Sequence, residues 1–169
     1  MTHFSALPFT LSRVDSVVGQ EIVSTTEKVH GLLRLDGERL VIQWRVSRAT
    51  QRVGQVIRTD RQLESVREVV IPLAALAGAV VRWVWWRWPP GRYLVLTGAD
   101  LRAFEEIAGE GGLRMAHPAE LVLQVRRTDH VAAQDFTGEL ELAIAERALR
   151  AAEQSPRLEA GQPGGADTH

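Results

Sequence analysis

Imidazole is the side chain that most readily exchanges protons near neutral pH or ligates a metal. The chain has five histidines: His3, His30, His117, His130 and His169. No two stand at His-x-His or i, i+4 spacing, the arrangements that set two ligands on one face of a strand or helix, so no metal site is expected. His130 follows Asp129, the local part of an acid–base pair, but the two residues also read as the turn before the last helix, and that reading is preferred. The carboxylate pairs Glu105–Glu106 and Glu139/Glu141 read as wet helix faces. There is no Gly-x-Ser-x-Gly elbow. Gly109 to Gly112 is glycine-rich but follows a helical pattern instead of opening one, the wrong polarity for cradling phosphate. With no cysteine in the chain, thiolate metal sites, disulfides and cysteine nucleophiles are excluded. No catalytic, cofactor-binding or metal-ligating residue is therefore assigned, and a non-catalytic role is expected.

The remaining chemistry is that of contact. The segment from Arg82 to Tyr93 (Arg-Trp-Val-Trp-Trp-Arg-Trp-Pro-Pro-Gly-Arg-Tyr) holds four of the five tryptophans and the only tyrosine. Strand alternation sets Trp83 and Trp85 on one face and Val84, Trp86 and Trp88 on the other, so both faces carry indole. Arg82, Arg87 and Arg92 are placed to stack on those rings. Tryptophan, tyrosine and arginine dominate the energetics of interfaces, so Arg82, Trp83, Trp85, Trp86, Arg87, Trp88, Arg92 and Tyr93 are the candidate contact residues. Two other readings stay open. Indole also favours the headgroup zone of a membrane, and the rings could simply fill a core and cover its rim. A second run of cations, Arg45, Arg48, Arg52, Arg58, Arg61 and Arg67, could meet phosphates, but Glu38, Asp60, Glu64 and Glu68 lie close in sequence. An ion-paired, solvated face is the preferred reading there.

The totals bound the class. A chain of 169 residues fits one domain with tails, and 45% hydrophobic with 24% charged residues is ordinary globular composition. The formal net charge of −1 gives no global basic field, which argues against nucleic acid. Lys28 is the only lysine, so the positive charge is almost all arginine, which suits bidentate pairing with carboxylates and phosphates. Met1 to Gln20 lacks a basic stretch followed by a long apolar run, so no signal peptide is expected. The most apolar stretch, Val69 to Val81, is broken by Pro72 and Gly78 and is too short to span a membrane. A soluble cytoplasmic protein is the expectation.

These residues need a frame. Residues 1–24 read as a partly irregular lead-in. Val29–Leu35, Asp36-Gly37 and Arg39–Val46 read as a hairpin with a type I′ turn, with Leu40, Ile42, Trp44 and Val46 on one face. A less regular strand is expected near Val53–Arg58, then a strand from Ser65 to Ile71 and one helical turn at Leu73–Leu76. Ala79–Trp88 and Arg92–Leu96 read as a hairpin closed by Pro89-Pro90-Gly91. A short helix is expected near 98–109, opened by Thr97 and Asp100. A strand follows over Leu121–Val125. Phe136, Leu140, Ile144 and Ala148 then mark an amphipathic helix from Ala132 or Thr137 to Glu153. Residues 155–169 read as a disordered tail.

Hairpin-linked antiparallel strands ending in one amphipathic helix give a mainly β (α+β) fold, a small barrel or sandwich capped by a helix, as a single domain over 1–154. Gly31-Leu32-Leu33-Arg34-Leu35-Asp36-Gly37-Glu38-Arg39-Leu40-Val41-Ile42, Val70-Ile71-Pro72-Leu73, Tyr93-Leu94-Val95-Leu96 and the helix from Phe136 resemble the pleckstrin-homology-like superfold in its bacterial and GRAM-like forms. The likeness runs from about Thr25 to Arg150, with the helix near 98–109 as an insertion. It implies a bent barrel plugged by the last helix, and a binding module. The phosphoinositide loop of that family would fall at Asp36-Gly37-Glu38, which is short and acidic, so protein or peptide contact, or self-association along a sheet edge, is what the resemblance implies. The expected partner is a protein or a second copy of the chain. A membrane surface and a small ligand held inside the barrel are the alternatives.

Overall fold

The computed structural model describes residues 6–19, 22–54, 56–85, 90–108, 112–113 and 115–154. Its strands are β1 (Ala6–Val18), β2 (Ile22–Asp36), β3 (Arg39–Val53), β4 (Ile57–Leu63), β5 (Arg67–Pro72), β6 (Leu76–Val84), β7 (Gly91–Gly98) and β8 (Glu120–Val125). The helices are α1 (Glu105–Ala108) and α2 (His130–Gln154), with 3₁₀ turns at Leu73–Ala75 and Arg127–Asp129. One antiparallel sheet runs in the order β4-β3-β2-β1-β8-β7-β6, and β5 pairs with the first half of β3. The chain is thus mainly antiparallel β with a C-terminal helix. No ladder joins β5 to β6 among the described residues, so the sheet stays open where a barrel would close.

Period-two patterning makes these strands. Leu7, Phe9 and Leu11 face the same side as Val29, Leu33 and Leu35, and the ladder carries that face on to Leu40, Ile42, Trp44 and Val46. On the other limb, Ala79 and Val81 share a face with Leu96 and Leu94, and these with Leu121 and Leu123. Both faces line one core, which α2 covers with Ala133, Phe136 and Leu140. β1 corrects the expected lead-in: residues 6–18 form a strand in the middle of the sheet, between β2 and β8. Pro8 obscured it, but the β8 ladder engages β1 only at Thr10, so proline costs no bond on that side.

Two further expectations shift. The Asp36–Arg39 pairing leaves Gly37 and Glu38 as the central turn residues, and only Gly37 has positive φ, at 58°. That is the type II′ pattern, with glycine at the first central position, not type I′. The helix expected near 98–109 shrinks to α1, preceded by turns over 101–104; its Phe104 and Ile107 are nevertheless fully buried. Residues 155–169 lie outside the described residues.

The outer edge of β6 is closed by α2. Glu141 accepts a short hydrogen bond from the Ala79 amide, so one unpaired edge donor meets a carboxylate. Glu141→Ala is expected to cost about 1 kcal/mol, with Glu141→Gln costing less because an acceptor remains. Faster hydrogen exchange at the Ala79 amide would report it.

Beyond the core, β1 to β4 continue as a four-stranded extension built from Arg13–Val18, Ile22–Glu27, Arg48–Val53 and Ile57–Gln62. At its tip the register aligns Val18, Ile22, Val53 and Ile57 in one row across the outer face, all exposed.

Candidate contact surface

The β6–β7 hairpin aligns Arg82 with Tyr93, Trp83 with Arg92, and Val84 with Gly91. Arg92 in turn lies opposite Val125 of β8, so Trp83, Arg92 and Val125 form one row across three strands. This row continues the core face past its last buried layer. Val125 is buried, Arg92 is half-buried, and Trp83 is 47% exposed. Direct cross-strand neighbours have Cβ atoms about 5 Å apart, close enough for a guanidinium to lie on an indole. Trp85 follows β6 in a bend and is 73% exposed. Between these two tryptophans Val84 is buried, so the alternation expected from the sequence holds from 83 to 85.

Other candidates fall differently. Arg82 is exposed, on the face opposite Trp83. Tyr93 is 2% exposed, which corrects its assignment to the exposed contact residues: it sits on central strand β7, between β6 and β8, on the face opposite Leu94 and Leu96. Trp86, Arg87 and Trp88 lie outside the described residues. The fifth tryptophan, Trp44, is buried in the core.

The arginine run divides. Arg48 pairs with Glu27 at 2.9 Å and Glu64 at 2.9 Å, and Arg67 reaches Glu64 at 3.8 Å. The hydrogen bond to Glu27 raises the Arg48 pKa above its ordinary value; partial desolvation opposes this, and the charges of Glu64 and Glu27 add to it. Arg52, Arg58 and Arg61 are exposed on the extension, and none has an ion-pair partner among the described residues. Asp129 is held by Arg126 at 2.6 Å, which makes the Asp129–His130 step a helix-entry turn. No group of three or more His, Asp or Glu residues is placed to hold a metal among the described residues. A cleft of ≈ 200 Å³ opens between Leu11, Arg13, Glu27 and Leu113. That is below the roughly 300 Å³ at which small-molecule sites begin.

The extension was missed in the sequence. Its signal was present in the aliphatic positions Val14, Val18, Ile22, Val53 and Ile57, which read as polar-flanked strand fragments only once paired.

The class that fold and surface define is a mainly antiparallel β domain with a C-terminal helix and an exposed aromatic rim. No helix among the described residues is long and apolar enough to cross a membrane. Comparison with known proteins adds no relative: no family model, no curated protein and no solved structure matches the chain.

Proposed function

We propose that the chain is a non-catalytic interaction domain of the pleckstrin-homology-like kind, and that it binds a protein through the rim of the β6–β7 hairpin. The carrying observation is the exposure of Trp83 and Trp85 at the end of the β6–β7 ladder, which is paired without interruption from Gly78 to Val84. A large indole left half or more in water gains from being covered, and the neighbouring Arg82 and Arg92 add polar anchors. The open antiparallel meander ending in α2 supports the pleckstrin-homology-like reading, with the last helix over the end of the core.

The test separates packing from contact. Trp83→Ala and Trp85→Ala are each expected to change stability by less than about 1 kcal/mol, since neither removes a buried side chain. The double variant is expected to lose proteins that the wild-type chain retains from an extract. Vesicles of anionic lipid form the second arm: binding that depends on the same two tryptophans would move the surface from a protein partner to a membrane. A chain that unfolds on losing them would assign the rings to the core.

A further inference from the structure

A free edge strand is the feature that neither the helix nor the aromatic rim addresses. β4 pairs with β3 on one side only, and all seven of its residues are exposed. It carries no proline and no bulge, so the charges of Arg58, Asp60 and Arg61 are what blunts this edge against indiscriminate pairing. The direction of its backbone groups follows from one bond: the Glu64 amide donates to the Val46 carbonyl at 2.9 Å. In an antiparallel ladder hydrogen-bonded pairs alternate, so Gln62, Asp60 and Arg58 also point their amides and carbonyls at β3. Ile57, Thr59, Arg61 and Leu63 therefore offer theirs outward.

The side chains select who can use that edge. Arg52 and Arg58 stand directly opposite each other, a like-charge pair that costs stability unless an anion approaches. An open trough of ≈ 730 Å³ lined by Arg52, Arg58, Thr59 and Asp60 lies beside them. We propose that β4 pairs antiparallel with β4 of a second copy, about a two-fold axis through Thr59. Thr59 then pairs with its own counterpart, and Ile57 with Arg61 of the second copy, using the outward backbone groups. Arg58 falls opposite Asp60 of the second copy and Asp60 opposite its Arg58, so each arginine pair gains the missing carboxylate. The aliphatic stem of Arg61 from the second copy lies over Ile57, at the end of the exposed apolar row.

Charge also fixes the register. Outward groups can meet outward groups only in steps of two residues. One step away Asp60 would face Asp60; in the opposite direction Arg58 would face Arg58; a further step sets Arg61 against Arg61. The proposed register is the one that puts opposite charges across the axis. A pairing of this size is expected to be concentration-dependent.

Light scattering at rising concentration tests it. The wild-type chain is expected to move from the mass of one chain toward that of two by millimolar concentration. Arg58→Asp and Asp60→Arg should each keep it at one chain, and the double reversal Arg58→Asp/Asp60→Arg should restore the dimer. Thr59→Pro removes an outward amide while sparing the β3 ladder, so it should be monomeric with an unchanged circular dichroism spectrum and melting temperature. A wild-type monomer at all concentrations overturns the proposal, as does a double reversal that stays monomeric. A dimer that survives Thr59→Pro but is lost in Trp83→Ala/Trp85→Ala also overturns it, and leaves the aromatic rim as the self-contact.

Discussion

Phe136→Ala is expected to destabilise the fold by about 4 kcal/mol, the largest effect of any single truncation along α2. Phe136 is fully buried, and with Ala133 and Leu140 it forms the buried part of α2, while Ala143 and Ile144 pack against the core from partly buried positions. Truncating it leaves a cavity under the long helix that packs on the core and also closes the β6 edge through Glu141. Chemical denaturation should show the loss as a lower midpoint with little change in slope. The seam predicts a gradient along the same helix. Ile144 is half-buried and Leu149 is exposed, so Leu149→Ala is expected to stay within about 0.5 kcal/mol. Equal losses at Phe136 and Leu149 would contradict this docking of α2. The C-terminal turns of the helix instead reach the β2–β3 turn, where Arg150 pairs with Glu38 at 2.8 Å.

Gly31→Ala is the second large effect, and it acts by excess instead of loss. A Cβ at this position would overlap Phe9 Cζ and Cε1 and lie 2.6 Å from the Gln43 carbonyl oxygen. Phe9 pairs directly with Gly31 across β1 and β2, so its ring lies where the missing side chain would be. The ring could turn aside, but the carbonyl belongs to the β3 ladder and cannot. Overpacking of this kind costs about 3 kcal/mol, which for a chain of this size lowers the melting temperature by about 6–12 °C. Phe9→Leu is expected to rescue Gly31→Ala only in part, because the backbone contact remains. Full rescue would show that the ring alone enforces glycine.

How much of the fold was legible depended on whether local signals agreed. The β2–β3 hairpin was readable because Asp36-Gly37 separated two apolar runs and Leu40, Ile42, Trp44 and Val46 alternated cleanly. Even there the turn type was not, since which two residues occupy the central positions is set by register and not by the dipeptide. α2 was readable from its four-residue seam, although the seam does not say that burial is complete only to Leu140 and partial at Ile144. β1 was lost because Pro8 sits among its alternating residues, and because its second half, Arg13 to Val18, faces water on both sides and so lacks the contrast that marks a half-buried strand. The extension is formed by pairings between segments far apart in sequence, and its exposed aliphatics have no local period that separates them from a loop. Among the candidate contact residues, residue type alone does not tell which are exposed. It could not separate Tyr93 from Trp83, because burial there depends on β8 arriving beside β7.

The central claim is that Trp85 lies in a protein contact. Replacing Trp85 with a photo-crosslinking phenylalanine analogue and irradiating intact cells tests it most directly. The same analogue at Leu149, which is also exposed, gives the background. Covalent adducts to protein from position 85, well above those from position 149, are the predicted result. Equal labelling from both positions, or labelling of lipid alone from position 85, would contradict it.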